Sequence, residues 1–204
     1  MVESSNCVHG EPSIRPEDSA FPRGLALSRR AHEIIPGGSH TDKATEFGPE
    51  GKTKVKEFAR KGGGVLGFCG GAALTSQVKE GWGLLEVERE PGKVPKAMHG
   101  PIWIKPEDSG HPLWYGYSSQ GFPLAPWYGK ALYPLSDKVS VLGRYDRPTD
   151  DFYVDHEVTG FYFSEYLPEE METLDRVYDG YADPATLKGT AAIVEGNYGK
   201  SRII

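Results

Sequence analysis

Two cysteines in 204 residues, no block of basic side chains and no apolar run long enough to cross a bilayer are the sequence's main shortages, and each excludes something. Cys7 and Cys69 cannot build a disulfide scaffold, and such sparing use fits reduced thiols in a cytoplasm. Lys and Arg number 23 against 29 Asp and Glu, a formal charge of −6. Neither a nucleic-acid groove nor an anionic membrane surface is therefore expected as partner. The uncharged stretch from Gly62 to Val78 is glycine-rich and too short for a transmembrane helix. Residues 1–30 hold no apolar block of signal-peptide length, and the Glu, Asp and Arg scattered through them would interrupt one. The expectation is a soluble, cytoplasmic protein.

What is present suits a single core. Apolar residues make up 38% of the chain, and its 26 glycines and 16 prolines mark it as loop-rich without making it low in complexity. Residues 1–30, with Pro12, Pro16 and Pro22 among many Ser and Glu, follow neither hydrophobic period and read as an irregular arm. Residues 31–204 read as one α/β domain. Leu27, Ala31, Ile34 and Ile35 recur at helical spacing, while Glu33-Ile34-Ile35 reads equally well as a strand entering the turn Pro36-Gly37-Gly38. A helix is predicted from Pro49 to Lys61, a buried strand over Gly64–Phe68, and a helix of small residues from Gly70 to Gln77. The aromatic, Pro- and Gly-rich stretch from Gly81 to Asp137 predicts short strands and turns. Further strands are expected at Lys138–Gly143, Thr190–Glu195 and Ser201–Ile204, the last two joined by a turn at Gly196–Gly199, and a helix over 168–178.

The sharpest local signal is Gly67-Phe68-Cys69-Gly70-Gly71, between an apolar strand and a small-residue helix. Flanking glycines permit a strained strand-to-helix turn from whose apex a nucleophile projects. Backbone amides at a helix start favour a thiolate and can bind an oxyanion. Amides of Gly38 and Gly70 converging on one point would form an oxyanion hole. A buried structural cysteine in a glycine-rich packing turn is the competing reading.

These motifs in this order, followed by the run from Gly189 to Ile204, resemble the glutamine amidotransferase-like superfamily, in the branch related to the N-terminal domain of biotin–protein ligases. Ile34-Ile35-Pro36-Gly37-Gly38 looks like its oxyanion strand and turn. Lys56 to Ala73 is similar to its helix, strand and cysteine elbow, and Val139 to Tyr145 resembles a later strand. The resemblance implies a flavodoxin-like three-layer sandwich with a mostly parallel central sheet, Cys69 as nucleophile and Gly38 and Gly70 as oxyanion donors. It implies acyl transfer or hydrolysis of a small-molecule amide, with no cofactor or metal. The family's catalytic His follows the final strand, a position beyond Ile204, so weak amide turnover is expected. The alternative is a non-catalytic, ligand- or partner-binding member.

Other residues of chemical interest are His99, His111 and His156, any of which could approach the elbow in space. Asp150, Asp151, Asp155, His156 and Glu157 are of metal-ligand type, but their spacing fits a solvated acidic turn better. The aromatics of 103–128 read as sheet packing ahead of a ligand pocket.

Overall fold

A short extended segment, His32–Ile35 (β1), ends where Pro36 removes an N–H from the ladder and Gly37-Gly38 turn the chain. Ser39 then caps a helix, His40–Arg60 (α1), its hydroxyl accepting the Asp42 N–H at 3.2 Å. This helix is broken at Gly48, and Pro49 opens its second stretch, which buries Val55 and Ala59. Strand Gly64–Gly67 (β2) and the short helix Gly70–Thr75 (α2) follow. The computed structural model describes residues 32–89, 98–117, 119–124, 131–154, 165–177 and 183–204. The expected arm at 1–30, and with it Cys7, lies outside them.

The remaining strands are Val87–Arg89 (β3), Met98–His99 (β4), Ile102–Pro106 (β5), Phe122–Leu124 (β6), Leu132–Pro134 (β7), Val139–Pro148 (β8), Tyr153–Val154 (β9), Ala191–Tyr198 (β10) and Ser201–Ile203 (β11). A third α-helix, Pro168–Val177 (α3), falls close to its predicted position. Nine strands share one sheet along the path β1-β2-β11-β10-β8-β5-β6, with β7 pairing β10 and β3; β4 and β9 form a separate pair.

This arrangement corrects the flavodoxin-like expectation. Only the β1–β2 and β2–β11 ladders are parallel, and the other ladders of the sheet are antiparallel. Parallel neighbours need a crossover of a dozen or more residues, and α1 supplies one between β1 and β2. Beyond residue 80 the apolar residues instead come in short alternating runs, which turns can join as antiparallel neighbours. The sheet is therefore mixed and mostly antiparallel, with three α-helices among the described residues.

The competing reading of Glu33–Ile35 as strand is the one observed. The expected turn at Gly196–Gly199 sits later, because Gly196 and Asn197 stay in the ladder opposite Ile203 and Arg202, leaving Gly199-Lys200 to reverse the chain. Strand β8 runs on to Pro148, past the expected end at Gly143.

Apolar burial falls into two clusters. Val55 and Ala59 of α1 pack with Ile35, Val65, Leu74, Trp82, Val194 and Ile203. Ile102, Ile104, Trp114, Tyr145, Phe152 and Leu187 form the second, with Met171 and Leu174 of α3 against it. Neighbouring residues of β10 serve both, Ala191 and Val194 the first and Ala192 and Ile193 the second. The Trp114 indole fixes the second cluster to β8 by donating to the Leu142 carbonyl at 3.0 Å.

Candidate functional site

Two parallel strands bring two turns together at their C-terminal ends. Pairing of Ile35 with Gly67 sets the Pro-Gly-Gly turn beside the residues that follow β2, and the Phe68 N–H donates to the Ile35 carbonyl at 2.9 Å. Cys69 then adopts φ 51° and ψ −113°, the one positive φ at a non-glycine position among the described residues. A side chain in such a region costs about 1–3 kcal/mol and persists only where its surroundings over-determine it.

Those surroundings are explicit. The Gly71 N–H donates to the Phe68 carbonyl at 2.7 Å, the Ala73 N–H to the Cys69 carbonyl at 3.1 Å, and the Gly67 N–H to the Ile204 carbonyl at 2.8 Å. A Cβ on Gly70 would collide with the carbonyl oxygen of Gly38, and one on Gly71 with that of Ile35. Backbone thus packs on backbone, and the chain can leave the contact only by turning sharply at Cys69, whose side chain is exposed.

Of the expected site residues, Cys69, Gly38 and Gly70 do come together. A Cβ on Gly37 would lie 3.2 Å from the Cβ of Cys69 and 3.7 Å from its Sγ, so the Pro-Gly-Gly turn passes alongside the thiol. The amides of Gly38 and Gly70 donate no hydrogen bond among the described residues. The buried Tyr145 phenol has its pKa pushed up to about 12, chiefly by burial and secondly by negative charge at Cys69.

The expected histidines have other surroundings. His99 is buried in β4 and stacks on Tyr153 with ring centroids 5.2 Å apart. His111 caps a 3-10 turn: its Nδ1 accepts the Leu113 N–H at 3.2 Å and its Nε2 lies 3.4 Å from the carboxylate of Glu195, which also meets Arg202 at 3.3 Å. His156, Asp155 and Glu157 lie outside the described residues, while Asp150 and Asp151 are exposed in the turn before β9. Among the described residues no three metal-ligating side chains gather. Trp114 and Tyr117 pack on Phe122 at 5.6 and 4.8 Å, and Arg147 covers Trp103 at 5.1 Å.

Sequence reasoning missed one pair. His40, the first residue of α1, has its backbone nitrogen 3.2 Å from the place a Gly70 Cβ would occupy. Its imidazole Nε2 is 3.6 Å from a carboxylate oxygen of Glu80, in the loop after α2. Glu80 also borders an open groove of about 450 Å³ between α1 and Trp82. A histidine two residues beyond the Pro-Gly-Gly turn was the available signal; nothing in the sequence ties it to a glutamate forty positions on.

No protein-family model matches the chain, and no curated protein matches it. No helix among the described residues is long and apolar enough to cross a membrane.

Proposed function

We propose that this chain is an amidotransferase-like acyl-transfer domain in which Cys69 is the nucleophile. The observation that carries the reading is the strained backbone of Cys69, an exposed thiol at the apex of a turn between strand and helix. A merely structural cysteine gains nothing from such a position, whereas a nucleophile gains access to a substrate. The Cys69 thiolate attacks the acyl carbon, the carbonyl oxygen takes the negative charge facing the amides of Gly38 and Gly70, and collapse expels the leaving group to give a thioester. Water or ammonia then resolves the thioester. The substrate is a small-molecule amide or related acyl compound handled in the cytoplasm, and the net charge of −6 speaks against nucleic acid or an anionic membrane as partner.

A non-catalytic binding role is the second reading, favoured by the lack of a hydrogen bond to the thiol among the described residues. Mixing the protein with p-nitrophenyl acetate separates the two. Acyl transfer requires a stoichiometric burst of p-nitrophenol with acetyl carried on Cys69, lost in Cys69→Ala. A burst that survives the substitution, or no acetylation of Cys69, overturns the proposal.

A further inference from the structure

His111 ties a loop to a strand that is not its neighbour in the sheet. It caps the 3-10 turn Pro112–Trp114, its Nδ1 accepting the Leu113 N–H at 3.2 Å, while its backbone N–H donates to the Asp108 carbonyl and its carbonyl accepts the Trp114 N–H. Its other ring nitrogen lies 3.4 Å from Oε2 of Glu195 on β10, and the same oxygen lies 3.3 Å from Nε of Arg202 on β11. Nε2 of His111 and Oε2 of Glu195 are both sealed from solvent, and neither completes a well-aligned hydrogen bond among the described residues. The capped turn carries the buried Trp114, whose indole is bonded to the Leu142 carbonyl of β8 and whose ring lies against Gly143.

Only one protonation state of this ring satisfies both of its neighbours. The Leu113 N–H needs a lone pair on Nδ1, which puts the single proton of the neutral imidazole on Nε2, facing the carboxylate. A second proton can enter only at Nδ1, where it meets the Leu113 N–H. The two contacts then respond in opposite senses, because an imidazolium is held more strongly by Glu195 and offers no acceptor to Leu113. Glu195 is fixed between β8 and β11 in the middle of the sheet, whereas the turn is three residues long, so the turn is the part that yields. The surrounding charges leave this exchange intact. Arg202 is exposed, and the residue opposite Glu195 on β8 is the uncharged Ser140. Asp108, on the loop of His111, directs its carboxylate to the Gly110 N–H at 2.8 Å, and Glu107 is paired with Arg144 of β8 at 2.6 Å. We propose that His111 is a proton-operated latch: a proton taken up from solvent at Nδ1 exchanges its bond to Leu113 for a stronger hold on Glu195, and the turn Pro112–Trp114 is uncapped over β8. The neutral ring closes the turn and the charged ring opens it. The latch is independent of any role of Cys69.

The test is NMR of the isotope-labelled full chain between about pH 8 and 5, the range in which histidines change charge. At the alkaline end the ring nitrogens of His111, assigned through the backbone, should show the proton on Nε2. As the ring takes its second proton, exchange of the Leu113 amide, corrected for the intrinsic effect of pH, should accelerate about five- to tenfold, the usual worth of a side-chain cap. The Trp114 indole N–H should shift over the same range. His111→Asn supplies a cap oxygen that does not titrate, so both signals should stay constant in that variant. Glu195→Gln removes the attraction for the imidazolium and should move the transition to lower pH. A proton on Nδ1 at the alkaline end, a ring that stays neutral throughout, or a Leu113 exchange rate that changes less than about twofold as the ring titrates overturns the latch. All three are read in the wild type, so the test stands if a variant fails to fold. The same acceleration in folded His111→Asn overturns it too, and an unmoved transition in Glu195→Gln overturns the part given to Glu195.

Discussion

Removing the Cys69 side chain down to Cα should make this protein more stable. Cys69 holds φ 51° and ψ −113°, where its Cβ costs about 1–3 kcal/mol. Cys69→Gly relieves that strain. Against the gain stands the greater freedom of glycine in the unfolded chain, about 0.5–1 kcal/mol. The lost side chain is exposed, so its burial adds little to the balance. The net expectation is a gain of about 1 kcal/mol, which for a domain of this size raises Tm by roughly 2–4 °C. Cys69→Ala keeps the Cβ and therefore the strain, and should unfold close to the wild type. Thermal unfolding of the three proteins under reducing conditions makes the comparison, with the alanine variant controlling for loss of the sulfur itself. A glycine variant no more stable than the alanine variant would refute the claim that strain is stored at residue 69.

Gly70→Ala should cost about 1–3 kcal/mol and disturb the turn at residues 36–38, because its Cβ meets the Gly38 carbonyl and neither side of that contact is a flexible side chain; denaturant unfolding measures it, and a cost below about 0.5 kcal/mol would contradict the packing described. Tyr145 gives a pH prediction whose sign follows from its raised pKa: the folded state keeps the phenolic proton up to about 12 while the unfolded chain loses it near 10, so the contribution is complete below pH 10 and disappears as pH rises toward 12. Two units correspond to about 2–3 kcal/mol, and stability between pH 10 and 12 should fall less steeply in Tyr145→Phe than in the wild type; equal slopes would contradict it.

Local backbone structure was legible in part and long-range pairing was not. The unit β1–α1–β2 was legible only in part: the stretch of α1 from Pro49 and the strand β2 could be read because their signals are neighbours in the chain, a proline at a helix start, a helical period and glycines that end it, whereas the first stretch of α1 from His40 was not expected. Its parallel register, His32 opposite Gly64 through Ile35 opposite Gly67, is what such a unit produces. Extending that pattern to the whole sheet failed because the order of the other strands depends on partners some forty to sixty residues apart, such as Ile102 with Pro148 and Val139 with Gly196. Alternation along β8 says that one face is buried without saying which strands lie beside it. The same limit explains β1, where four residues are too few for periodicity to separate strand from helix and the ladder to β2 decides.

The candidate site divides along the same line. Cys69 was legible because glycine at 70 and 71 is a steric requirement of backbone crossing backbone, and that requirement leaves a pattern within five residues. A general base leaves no such pattern, so residue type alone put His99, His111 and His156 on an equal footing and did not single out His40 either way. Hydrogen bonding separates two of these four. In His111 the Leu113 N–H occupies Nδ1, which places the proton on Nε2, and that nitrogen faces Glu195; neither position retains a lone pair to receive a thiol proton. His40 presents the opposite arrangement, with the carboxylate on Nε2 and Nδ1 uncommitted among the described residues. Which nitrogen of each ring is engaged is set by partners distant in sequence, and residue type alone does not carry that information.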